Sequence, residues 1–294
     1  MNTKIKLQHY VPQFYLNNFV IRPQKNSIYC FDKSKSKYFV VSIKNIASES
    51  YFYDEPNEAE QGIEKALSKI ESAFKPIHSK LLANEDLESL TSNEIKSLAF
   101  FVTAQEHRTR EKRETIGDMM KQAKKRLYKE RLTNEFKERY GIDEWDTKEA
   151  IKSLHLSMFK QIPLYADILL QMKWILFINR TPMPLWSSDH PISRFNHKDA
   201  EPYGNLGLLC KGIEIHFPLS PKAILCFCDP STYGVFPNRY EIENIQNVIF
   251  ENSLQVAHST RYVFSNESDF TLAEEILGKN PSLRDIDRKR IEVH

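Results

Sequence analysis

Glycine is scarce in this chain, with eight residues in 294. None stands in the arrangements Gly-x-Gly-x-x-Gly or Gly-x-x-x-x-Gly-Lys-Ser/Thr. The dinucleotide-binding turn and the P-loop are therefore both excluded, because each needs side-chain-free backbone to approach a phosphate. Gly204, Gly207 and Gly212 share one loop without the lysine and serine that a P-loop requires. A Gly-x-Ser-x-Gly elbow and a His-Glu-x-x-His zinc helix are also missing, which removes the serine-hydrolase and zinc-protease signatures. Cysteine is equally sparse: Cys30, Cys210, Cys226 and Cys228 lack the density and spacing of a disulfide scaffold. Long apolar runs are absent too. Residues 167–178 are too short and too interrupted to span a bilayer, and the first six residues contain no apolar stretch of the secretory type. The expectation is a chain of a reducing cytoplasm with no membrane partner.

What is present describes a globular protein: 41% of residues are hydrophobic and 27% charged, enough to bury a sizeable core. Residues 27–32 and 37–42 are β-rich and separated by a Lys-Ser-Lys-Ser connection, which predicts a hairpin. From 58 to 82, Ile63, Leu67, Ile70, Phe74, Ile77 and Leu81 recur at helical spacing. Thr91-Ser-Asn-Glu94 is a capping-box pattern for a second long helix with Ile95, Leu98 and Val102 on its apolar stripe. Helical composition continues to about Arg139, with a break expected at Gly117. Strands are expected at 173–179, 184–187, 212–217, 223–228 and 261–265, and helices at 241–258 and 270–277. The fold class expected is α+β, with a mixed or antiparallel sheet packed against long amphipathic helices. One domain over 1–280 would carry a helical insertion at about 58–172, and a charged tail at 281–294 would fray from Arg284 onward.

The most informative segment is Gln8-His-Tyr-Val-Pro-Gln-Phe-Tyr-Leu-Asn-Asn-Phe19, which concentrates imidazole, amide and phenol groups. Pro12 suits the first turn of a helix, so His9 is expected at its entrance and Gln13 one turn on. This segment resembles the opening of the DUF4238 family, mostly bacterial proteins of unknown function. The resemblance continues at residues 101–109, at Ser188-Asp189-His190-Pro191 and at residues 217–221. The family more usually has Asp-Asn where this chain has Asp189-His190. The resemblance implies a shared architecture and a set of site positions, and it carries no activity.

Chemistry is expected where the apolar stripe of the second helix turns polar, at Gln105 and Thr109 with Arg108 beside them. Buried polar groups must find partners, so these residues face either a closed network or a cavity. Arg108 offers a fork suited to carboxylate or phosphate, with a structural salt bridge to Asp189 as the alternative. His9 is a candidate proton carrier, and Asp189 with His190 occupies a turn at a strand end. Gln13, Gln105, His190 and Tyr10 are candidate positioning groups. Residues 108–140 hold twelve Lys or Arg and six Asp or Glu, which leaves the rest of the chain near −4 against a net charge of +2. Lys121, Lys124, Lys125 and Arg126 could lie along nucleic-acid phosphates, or form a solvated mixed-charge face.

Two further motifs carry less. Glu94-Ile-Lys96 has the residues of a restriction-type nuclease strand but falls at a helix start, where Glu94 caps. Cys226 and Cys228 share one strand face and are half of a soft-metal ligand set, with no second pair; buried inert thiols are the reading adopted. No cofactor and no metal is expected. Two hypotheses follow. In the first, the chain is a metal-independent hydrolase of a phosphate-containing substrate, a nuclease cutting RNA or DNA: His9 moves the proton, Asp189 orients it or the nucleophile, Arg108 holds developing charge and the glutamines position substrate. In the second, the polar cluster fixes the fold of a non-catalytic module that binds nucleic acid or another ligand.

Overall fold

The computed structural model describes residues 4–21, 26–54, 60–130, 133–198 and 204–291. In chain order the elements are β1 (Leu7–His9), α1 (Gln13–Leu16), β2 (Ser27–Asp32), β3 (Lys37–Ser42), β4 (Ser48–Ser50), α2 (Gly62–Asn84), α3 (Ser92–His107), α4 (Arg110–Lys129), α5 (Asn134–Arg139), α6 (Lys148–Ser157), α7 (Ile162–Gln171), β5 (Lys173–Asn179), β6 (Ser187–Ser188), β7 (Ser193–Asn196), β8 (Ile213–Ser220), β9 (Ala223–Cys228), α8 (Pro230–Tyr233), β10 (Arg239–Ile242), α9 (Ile245–His258), β11 (Tyr262–Ser265) and α10 (Thr271–Lys279). This is the α+β arrangement expected, with three sheets. A five-stranded mixed sheet runs β10-β5-β9-β8-β7, parallel only between β10 and β5. A four-stranded antiparallel sheet runs β3-β2-β11-β6, and β1 pairs with β4 alone.

The five-stranded sheet is covered on both faces, which is why β9 (Ala-Ile-Leu-Cys-Phe-Cys) is buried at every position and reads as an unbroken apolar run. Leu225 and Phe227 face the core shared with α2, α3 and α7. There Phe74 of α2 stacks on Phe101 of α3 at 3.9 Å between centroids, and Phe101 meets Phe217 of β8. The alternate residues Ile224, Cys226 and Cys228 point to the opposite face, where Val248 of α9 packs on Ile224 and Ile242. The other side of α9 presents Val256 to Phe31, Trp186 and Val263 of the four-stranded sheet. Helix α9 is thus the layer between the two sheets. At its C-terminal end the fully buried Lys33 ammonium donates to the carbonyls of Val256 (2.7 Å) and Ser259 (2.6 Å), which is where a cation is favoured.

The helix starts are set by capping threonines. Thr91 and Glu94 form the full capping box of α3. Thr109, Thr133 and Thr147 each accept a backbone amide at the starts of α4, α5 and α6. The Thr109 cap breaks the long helical region at Arg108–Thr109 instead of at Gly117, which lies inside α4 with Ile151 packed where its side chain would be. The opening segment is also divided differently from expectation. Gln8 and His9 belong to β1, Pro12 is extended (φ −63°, ψ 140°), and only Gln13–Leu16 is helical. Residues 58–59 of the expected second helix lie outside the described residues. Helix α9 starts at Ile245 because Arg239–Ile242 adds the parallel edge strand β10, and β7 was not foreseen.

The tail does not fray over its described part. Arg288 and Arg290 converge on the buried Glu111 of α4, with Arg290 Nε at 2.8 Å, and the amides of Arg290 and Ile291 donate to Asp118. Arg284 donates to Ser36. An arginine pair around a buried carboxylate is strongly held once formed, since losing either side strands a desolvated charge.

Burial depresses His78, His190 and His258 to about 4 and His155 to about 3, against 6.5 in the unfolded chain, and lowers His9 and His107 as well. Between pH 6.5 and 4 the unfolded chain binds more protons than the folded one, so stability is present above 6.5 and is lost as pH falls. Each of the first four contributes on the order of 3 kcal/mol of that loss. Urea titrations at pH 7.0 and 5.0 should therefore show a midpoint falling steeply with acidification; a flat midpoint would mean these imidazoles are hydrated.

Candidate functional site

Two cleft-like regions of similar size open on the surface. One, of about 650 Å³, lies between α2 and the β8–β9 turn and is lined by Leu81, Glu85, Ser220, Lys222 and Asn266. Its carboxylate Glu85 is already held by Arg180 and Arg239. The other, of about 630 Å³, is formed where β1 and α1 cross α2, and is lined by His9, Gln13, Lys44, Glu64, Glu71, Lys75 and Arg108 among others. It holds three of the residues expected at a site and is the better candidate.

The walls of this cleft follow from local sequence. On α2, Glu64, Ser68, Glu71, Ser72 and Lys75 repeat at three and four residues, a polar stripe beside the apolar one that packs on α3. The start of α2 is tied to the N-terminal strand by amides. Gln61, in a left-handed conformation at φ 50°, accepts from Ile5 N (2.8 Å) and donates to Ile5 O (2.9 Å) and Asp54 (2.8 Å). Gln8 donates to the same carboxylate at 2.6 Å and accepts from Tyr53 N at 2.7 Å.

Arg108, at the end of α3, joins these parts. Its Nη1 reaches Glu71 at 2.5 Å, Nη2 donates to the His9 carbonyl at 2.6 Å, and Nε donates to the Tyr53 hydroxyl at 3.2 Å, which in turn donates to the Arg108 carbonyl. With its side chain 3% exposed, this guanidinium is committed to holding the cleft together. It is neither the expected phosphate clamp nor a partner of Asp189.

Two titratable groups in the cleft are displaced in opposite senses. Glu64 is half-buried and its Oε2 has no partner. Desolvation raises its pKa above the ordinary 4.5, with Glu71 and Asp54 adding to the rise and Arg108 opposing it. His9 lies in the same cleft, its Nε2 3.2 Å from the Lys44 carbonyl. Desolvation, helped by Arg108, lowers its pKa below 6.5. The two displacements bring the titration ranges closer together, which increases the fraction of molecules holding a protonated carboxyl and a neutral imidazole at the same time.

The remaining expected residues lie in the closed interior. Asp189 accepts the backbone amides of Thr260 (2.8 Å), Arg261 (2.8 Å) and Tyr262 (2.9 Å), so it anchors the turn before β11. His190 Nδ1 shares a proton with the Thr109 hydroxyl at 2.7 Å. Gln105 donates to the Tyr10 carbonyl at 3.0 Å, and Tyr10 is itself buried against Phe52. The polar end of the α3 stripe therefore faces a network and not a cavity, because the last two turns of α3, residues 101–107, are buried on every side. Of the sequence candidates, His9, Gln13 and Arg108 meet at the cleft; Tyr10, Gln105, Asp189 and His190 do not line it.

The basic region divides as well. Arg110 pairs with Glu49 and Glu114, Arg113 stacks on Phe52, and Lys124 bonds Asp146 at 2.7 Å. Lys121, Lys125, Arg126 and Lys129 remain exposed. Glu64 and Glu71 are not among the sequence candidates; the polar repeat beside the apolar stripe of α2 is the signal that points to them.

Stability separates the two sets. Arg108→Met and Asp189→Ala should each cost roughly 3 kcal/mol or more in urea unfolding, since each strands buried hydrogen-bonding groups. Glu64→Gln and His9→Gln should stay within about 1 kcal/mol of the parent, and a loss from Glu64→Gln as large as that from Arg108→Met would make the cleft structural. Among the described residues no helix is long and apolar enough to cross a membrane.

No curated protein and no solved structure matches this chain. A family model does, that of the protein of unknown function DUF4238, over residues 7–269. The match spans the β1–α1 opening, the Arg108 junction and the Asp189 turn, and the chain belongs to the DUF4238 family.

Proposed function

We propose that the β1–α2 cleft is the site of a hydrolase that acts on a phosphodiester, RNA or DNA. The observation that carries this reading is the unpartnered, raised Glu64 carboxyl sharing a cleft with the lowered His9 imidazole. Neutral His9 accepts a proton from the attacking hydroxyl or water, and protonated Glu64 delivers one to the leaving oxygen. Lys44 and Lys75, exposed at the cleft, supply the positive charge that the committed Arg108 cannot. Gln13, exposed on α1, positions the substrate. The exposed cations Lys121, Lys125 and Arg126 support a polyanionic partner. Asp189, with all its contacts inside the core, has a positioning role for the backbone alone.

A second reading, a module that binds a phosphate-bearing ligand without turnover, is favoured by the closed pairing of Arg108, Gln105, Asp189 and His190. The two readings differ in turnover. Because the base must be deprotonated and the acid protonated, cleavage of a labelled RNA or DNA should follow a bell-shaped profile with its maximum between pH 4.5 and 6.5, the two unshifted values. Initial rates are taken where near-UV circular dichroism shows the chain folded. His9→Gln and Glu64→Gln should each lower kcat by about 100-fold or more. Binding with no cleavage at any pH would select the module, and neither binding nor cleavage would end both readings.

A further inference from the structure

Away from the cleft, on the α9-facing side of the five-stranded sheet, four side chains with metal-binding atoms meet. The register pairs His216 of β8 with Cys226 of β9, and Glu214 with Cys228, so all four project from one face of adjacent strands. His216 Nε2 is 3.3 Å from Glu214 Oε2 and 3.9 Å from Cys226 Sγ, and Cys226 Sγ is 3.3 Å from Cys228 Sγ. The donor atoms of Glu214, His216 and Cys226 all lie within 4.8 Å of one another. A tetrahedral zinc with arms of about 2.0 Å to N and O and about 2.3 Å to S sets its donors about 3.3 Å (N to O), 3.6 Å (N to S) and 3.8 Å (S to S) apart. The Nε2–Oε2, Nε2–Sγ and Sγ–Sγ separations above sit within about half an ångström of that frame, while Cys228 Sγ, close to Cys226, stands outside the group of three mutually close donors.

The surroundings are those of a ligand set as well. The other imidazole nitrogen, Nδ1, is bonded to Glu251 of α9 at 3.1 Å, the carboxylate–histidine arrangement that orients a metal-bound ring. The second oxygen of Glu214 accepts the Tyr233 hydroxyl from α8, which fixes the carboxylate rotamer. Cys226, Cys228 and His216 are buried, and Glu214, partly exposed, marks the way in. Two carboxylates flank one imidazole here, so the cluster has more acceptors than cations among its own groups.

We propose that Glu214, His216 and Cys226 form a structural site for Zn²⁺ or a similar borderline-soft divalent ion, closed by Cys228, whose thiol turns in from beside Cys226 as the fourth donor, with Glu251 and Tyr233 as the supporting shell. Entry of the ion forms one bond to Nε2, one to Oε2 and one to each sulfur. The Nε2 and thiol protons pass to water as these bonds form. The site would staple β8 to β9 at the end of the sheet where α8 crosses.

The test uses the full chain, stripped with a chelator under reducing conditions and titrated with Co²⁺ alone and with Zn²⁺ alone. The expected result is one equivalent bound, a tetrahedral Co²⁺ spectrum with a thiolate charge-transfer band, and displacement of cobalt by zinc. Cys226→Ser and His216→Asn should weaken binding at least tenfold, and the double variant Cys226→Ser/Cys228→Ser should lose the charge-transfer band. If a variant fails to fold, the wild-type spectrum decides alone. No stoichiometric binding by the wild-type chain, a cobalt spectrum without the thiolate band, or a band that survives in the folded double variant overturns the proposal.

Discussion

The guanidinium of Arg108 is the constraint on which the rest of the N-terminal half depends. It stands where α3 ends, and from there it holds the β1 backbone through the His9 carbonyl, the loop after β4 through Tyr53, and α2 through Glu71. One planar group thus joins three chain segments that the Gln8 and Gln61 amides also tie to one another. Thr109 then ends α3 and starts α4, so the arginine sits at a hinge that the helix cap has made rigid. The cleft exists because these segments are held apart at one end and together at the other.

The polar residues of this fold do two different jobs, and burial decides which. Asp189, His190, Gln105 and Tyr10 are closed in by protein and mainly set backbone geometry, in the sense that a buried carboxylate receiving three amides specifies a turn. His9 and Glu64 both line the cleft, and Glu64 Oε2 has no hydrogen-bond partner. Gln105 Oε1, inside the closed network, is unpartnered as well, so what sets Glu64 apart is its place in the cleft. Along α4, Arg110 pairs with Glu114 and Lys124 with Asp146, while Lys121, Lys125 and Arg126 are exposed.

Much of the architecture was legible because it rests on local rules. The β2–β3 hairpin, the Thr91 capping box and strand β9 each sit where period, turn residues or capping chemistry place them. The misses come from interactions that sequence periodicity does not contain. The break at Arg108–Thr109 needed the knowledge that Thr109 caps, when Gly117 is the louder signal. Strand β10 is defined only by its parallel partner β5, and the tail is ordered by an acid face on α4 far away in sequence. His9, Gln13 and Arg108, singled out by residue type, line one cleft. Asp189 was assigned to the same site because an exposed and a buried carboxylate look alike in sequence, and Glu64 was overlooked because a polar residue beside an apolar stripe reads as solvated surface.

The central claim is that the β1–α2 cleft holds a proton donor and a proton acceptor displaced toward each other. The most direct measurement is an NMR titration of the wild-type chain that follows the Glu64 side-chain carboxyl carbon and the His9 ring carbons residue by residue. The account predicts a Glu64 midpoint above 4.5 and a His9 midpoint below 6.5. A Glu64 midpoint at or below 4.5 together with a His9 midpoint at or above 6.5 would contradict it, leaving the cleft as ordinary hydrated surface.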